Sequence, residues 1–209
     1  MSQDEMDTGG DRMTTTRAET ASSQATVLRW GGLTAYASGA IAAVGIVFLV
    51  AMFASFAVGA KSPGMAFGRI NDVLVMVSYA LAAPIVVALH LLLRPTAPRL
   101  SALAAVIGMG GLAAIVFLQL LLVVGALTFD EQIGLASLVY LFLAAWFITT
   151  GYLGSSSGIL PRGVLMGFLA ATYVGYPIWA IWLARHLLRR AETAEHYRLA
   201  TTTKGSHHV

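Results

Sequence analysis

The stretch Leu33–Ala60, LTAYASGAIAAVGIVFLVAMFASFAVGA, holds 28 residues and no charge. A helix needs about 20 apolar residues to cross a hydrocarbon core of about 30 Å, so this segment is long enough to span a bilayer. A cleaved leader would carry an apolar run of only about 7–15 residues. The small residues Val58-Gly59-Ala60 therefore read as the end of a retained span, not as a cleavage site. Four further stretches share the character: Ile70–Leu93, Leu100–Phe129, Gln132–Pro161 and Gly163–Ala184, with Asp72 the one charge inside any of them. Short polar breaks separate them, among them Lys61-Ser62-Pro63-Gly64, Arg94-Pro95, Asp130-Glu131 and Pro161-Arg162. The expectation is an all-α integral membrane bundle of about five transmembrane helices, over roughly 33–60, 70–93, 100–129, 132–154 and 162–188.

Composition agrees. Hydrophobic side chains make up 57% of the 209 residues and charged ones 11%, well under the quarter typical of soluble domains. Of the charges, eight lie in residues 1–29 and seven in residues 185–209. That pattern excludes a disordered chain, a nucleic-acid binder and a soluble enzyme. The absence of cysteine excludes disulfides, iron–sulfur clusters and thiolate zinc sites. Residues 1–29 and 191–209 read as flexible polar tails around a membrane domain at 30–190, and His207-His208 as part of a solvated end.

Five crossings place the termini on opposite faces. Counting basic residues near the membrane then gives five on one side and six on the other, which fixes no orientation. The dense Arg185–Arg190 end points to a cytoplasmic C-terminus.

Polar and small residues inside the spans are the candidates for function. Asp72 reads chiefly as a helix-start carboxylate paired with Arg69, and secondarily as a proton or cation site. Gln119, deep in segment three, and Tyr173 and Tyr176, mid-way along segment five, each need a hydrogen-bond partner within the bundle. Gly163, Gly167, Ala171 and Gly175 recur every fourth residue and form a helix-packing face, read as internal packing before dimerisation. A similar stripe runs through Ala35, Gly39 and Ala43. Pro84 and Pro177 are expected to kink their helices. Trp30, Tyr36, Tyr152, Trp179 and Trp182 fit an interfacial belt.

Enzymatic signatures fail on context. Gly154-Ser155-Ser156-Ser157-Gly158 matches the Gly-x-Ser-x-Gly elbow, but no His–carboxylate pair accompanies it. His90 and His186 fall at opposite faces of a five-span bundle, about 20–30 Å apart given the core thickness, so no shared haem is expected. No catalytic residue, cofactor or metal ligand is assigned, and the lipid bilayer is the one partner implied. A homodimer or larger membrane complex is left open.

Gly151-Tyr152-Leu153 followed by Ser157-Gly158-Ile159-Leu160-Pro161-Arg162-Gly163 resembles a motif in a domain-of-unknown-function family of small bacterial multi-pass membrane proteins. The Leu91-Leu92-Leu93-Arg94-Pro95 exit resembles it too. The likeness covers about residues 70–185 and departs at Gln119, where the family pattern has a charged residue. It implies a bacterial polytopic protein of the cell membrane and carries no activity or site. The leading functional expectation is a non-enzymatic accessory, scaffold or sensor bundle; the alternative is a transporter or channel component for a small solute or ion.

Overall fold

The computed structural model describes residues 3–205, with side chains described for residues 22–196. The side chains of 1–21 and 197–209, most of the two expected tails, lie outside the described ones, as does the whole of His207-His208. The described residues form helices joined by short turns and contain no strand. Its elements are α1 (Gln3–Ala57), α2 (Lys61–Leu81), α3 (Ala83–Leu93), α4 (Pro98–Val123), α5 (Phe129–Ser156), α6 (Gly163–Ala170) and α7 (Gly175–Gly205). In lipid a helix is the one open-ended structure that satisfies its own backbone, which is why these apolar runs adopt it.

Four helical stretches are long and apolar enough to cross a membrane: Ser22–Ala57, Lys61–Leu93, Pro98–Val123 and Phe129–Ser156. The second comprises α2 and α3, which meet at Ala82. There the chain tightens, with the Ala82 amide bonding to the Tyr79 carbonyl at 3.1 Å. Pro84 lies in the first turn of α3, where its missing N–H costs least. Large apolar side chains face outward along these helices, for example Val47 at 66% and Leu141 at 67% exposure, as a lipid-facing surface requires.

The fifth apolar segment behaves differently. It breaks at residues 171–174 into α6 and α7, and the two halves run in opposite directions. Gly163 lies against Gly151, and Gly167 against the Phe147 backbone, so α6 descends antiparallel to α5. α7 then climbs antiparallel to α1: Tyr173 lies near Gly45, Ala180 against Gly39 and Leu188 against Gly32. Arg190 closes the return by donating to the Ile159 carbonyl in the α5–α6 loop. α6 has eight residues and descends about 12 Å, less than half the thickness of the core. Segment five is thus a re-entrant helical hairpin with its turn near mid-membrane.

Two expectations change as a result. The N-terminal start of α1 and the outer part of α7 lie at the same end of the bundle, not at opposite faces. Expected tail sequence also joins the fold there: Leu28 and Ala191 are buried, and Thr26 and Arg29 share a shallow groove with Ala194 and Glu195. The physical reason is Pro177 in the first turn of α7, after a turn that Thr172 stabilises. Thr172 Oγ1 donates to the Leu169 carbonyl at 2.7 Å and accepts from the Gly175 amide at 3.0 Å, supplying partners for backbone groups that a break in lipid would strand.

At the opposite end, α5 begins with a capping box. Thr128 Oγ1 accepts from the Glu131 amide, and the Glu131 carboxylate accepts from the Thr128 amide at 2.8 Å. Thr128→Ala removes the cap and is expected to cost about 1 kcal/mol in a denaturant titration in detergent. An unchanged midpoint would show that packing alone fixes this helix start.

Candidate functional site

Two polar rungs cross the α1–α2 interface in the membrane interior, each completed by a tyrosine from segment five. In the first rung, Ser38 Oγ donates to the Ser78 carbonyl at 2.8 Å and Ser78 Oγ donates to the Ser38 carbonyl at 3.0 Å. Each serine proton is thereby committed, so the Tyr176 hydroxyl, in contact with Ser38 Oγ, is the donor of that bond. All three residues are buried, and the rung is saturated.

The second rung lies seven residues away on both helices. Asn71 on α2 sits over Gly45 on α1, and Tyr173 donates to Asn71 Oδ1 at 3.0 Å. The near-integral two turns of a seven-residue step keep both rungs on one face. Next to Asn71 stands Asp72, half-buried and an electrostatic neighbour of the Tyr173 phenol. It makes no hydrogen bond or ion pair to another described residue. This rung is not saturated.

The helix-start reading of Asp72 does not survive. α2 begins at Lys61, so Asp72 lies in its interior, about 16 Å along the axis, where no free backbone amide needs a cap. Arg69 is one turn before it on the same side of the helix, yet the two form no ion pair. The polar loop expected at Lys61–Arg69 is helical instead, because Pro63 fits the first turn and Gly64 packs under Phe56.

Above the rungs, toward the end that carries the start of α1 and the outer part of α7, a close-packed aromatic group fills the space between α2, α5 and α7. Tyr176 stacks on Tyr79 at 5.3 Å, Phe147 meets Trp179 edge-on at 4.8 Å, and Trp146 meets Trp179 at 6.0 Å. Trp179 is 3% exposed and belongs to this core, not to an interfacial belt, because α7 starts near mid-membrane and places it only one turn deeper toward the surface. Trp30, well inside α1, and Tyr152, in the last turns of α5, are both exposed. Tyr36 accepts from Arg185 at 3.3 Å.

No family model, curated protein or solved structure matches this chain. Its chemistry is therefore carried by its own geometry.

The remaining candidates fall elsewhere. Gln119 is buried but lies in the last turns of α4, which ends at Val123, so it is near a helix end and not deep. Its Oε1 has no hydrogen-bond partner, and neither does Nε2 of Gln132 in the first turn of α5. Gly163 and Gly167 pack inside the chain on α5, whereas Ala171 is exposed at the break and Gly175 opens α7. On α1, Ala35 and Gly39 are buried and Ala43 is exposed. Ser155 accepts from the Val164 amide, and Ser156 and Ser157 bond back to the Leu153 carbonyl, so the serine run closes a turn. His90 and His186 lie at the same end of the bundle, since Gly31 touches both Ala88 and Leu187, and the separation expected from five crossings does not apply. Among the described residues no group of three or more His, Asp or Glu could hold a metal.

Ser38, Ser78 and Asn71 are not singled out by the sequence. Their signal is the shared seven-residue spacing on two neighbouring helices, readable only once α2 is known to start at Lys61.

Proposed function

We propose that this protein is a membrane transporter or channel component that moves protons, with Asp72 as the proton-accepting group of a mid-membrane site formed with Asn71 and Tyr173. The single observation that carries this reading is an unpaired carboxylate inside a span, beside the turn of a re-entrant hairpin. A charged group at that depth is expensive and is retained where it works. Irregular backbone at membrane depth occurs where it is enclosed by protein or lines water. Broken helices that meet near the midplane build many transporter sites.

The test is flux in liposomes holding a pH-sensitive dye, under an imposed proton gradient. Wild-type protein is expected to dissipate the gradient. Asp72→Asn keeps size and polarity but cannot exchange a proton, and is expected to abolish flux with the melting temperature unchanged. Glu131→Gln, at the far end of α5, is expected to behave as wild type. No flux from the wild type would return the accessory or scaffold reading to first place.

A further inference from the structure

We propose that the Asp72 site opens to the non-cytoplasmic side alone, through a water-filled vestibule beneath the re-entrant hairpin. This rests on the proton-handling reading and adds the route of entry. Because the hairpin turns back near mid-membrane, no part of segment five fills the far half of the bundle. The residues of its turn are correspondingly bare: Ala171, Thr172 and Val174 are exposed, while Tyr176, two residues on, is 3% exposed. The half above the turn is sealed by Tyr79, Phe147, Trp146, Tyr176 and Trp179, all buried.

What fills the space below follows from its polar wall. Asp72 is partly exposed beside Tyr173, and Arg69 is exposed one turn nearer the far end on the same side of α2. Two ionisable side chains with no ion pair between them are not stable against hydrocarbon. Water meets this demand.

The distribution of arginine fixes which side this is. With both ends of the helical chain at one end of the bundle, that end carries Arg29, the loop residues Arg94, Arg99 and Arg162, and the Arg185–Arg190 cluster. The other end has Lys61 and Arg69. The positive-inside bias makes the arginine-rich end cytoplasmic, so the vestibule faces outward.

The chain has no cysteine, so single cysteines report cleanly. Full-length Thr172→Cys, Ser62→Cys and Glu195→Cys are exposed to a membrane-impermeant thiol reagent in intact right-side-out vesicles and in inside-out vesicles. Thr172→Cys is expected to label with Ser62→Cys from outside and to be protected from inside, where Glu195→Cys labels. Labelling of Thr172→Cys from inside, or from neither side while both controls react, would overturn the vestibule. If Thr172→Cys is poorly produced, Val174→Cys reads the same turn. Outward labelling without proton flux would retain the vestibule and reject the proton function; flux with a protected turn would do the reverse.

Discussion

Cysteines introduced at Ser23 and Glu195 are expected to react from the same side of the membrane. Both positions are exposed, at the start of the described part of α1 and near the end of that of α7. They are joined by an antiparallel helix pair in which Gly32 packs under Leu188 and Gly39 under Ala180. An impermeant reagent applied to one face of sealed vesicles is expected to label both or neither. If one labels and the other does not, segment five crosses completely and the hairpin does not exist in the membrane. The effect is all or none, so partial labelling of a mixed preparation would be recognisable from the controls.

Gly167→Leu is expected to destabilise the hairpin strongly. A Cβ at Gly167 would come within 2.5 Å of the Phe147 carbonyl oxygen and 3.1 Å of its carbon. These are backbone atoms of α5 and cannot turn aside as a side chain could. Overpacking against a yielding core costs about 1–3 kcal/mol, and against fixed backbone about 3 kcal/mol or more. Leu165→Ala, at 63% exposure on the lipid side of α6, is expected to change stability by only about 0.5 kcal/mol. The comparison is made by thermal denaturation in detergent. Equal melting temperatures for Gly167→Leu and Leu165→Ala would mean that α6 does not rest on α5.

Hydropathy alone made much of this fold legible. The apolar lengths of Leu33–Ala60 and Leu100–Phe129 demand helices, and charge pairs such as Asp130-Glu131 mark where they end. What composition could not reveal was direction. Segment five, Gly163–Ala184, is as apolar as the others, and its reversal depends on Thr172, Pro177 and a glycine face that fits α5, all of which also suit a kinked crossing helix. The site was half legible for a related reason. Tyr173, Tyr176 and Asp72 stand out as polar residues in apolar runs. Asn71 does not, because a polar residue beside an apparent loop draws no notice, and Ser38 and Ser78 resemble ordinary small packing residues. The error of nine residues in placing the start of α2 moved Asp72 from the interior of a helix to its edge and changed its chemistry.

The hairpin also constrains how the protein is made. A charge-free stretch such as Gly163–Ala184, taken by itself, has the length and apolarity to be inserted straight across a bilayer. It turns back only because α1 and α5 already offer Gly39, Ser38 and the Phe147 backbone as surfaces, and because Tyr173 and Tyr176 find Asn71 and Ser38 waiting. Segment five follows α1–α5 in the chain, so it meets these surfaces only after the earlier helices have been made. A chain lacking α1, or stripped of its Ser38 and Asn71 partners, would present the same segment five with no template, and residues after Ala184 are then expected on the opposite face.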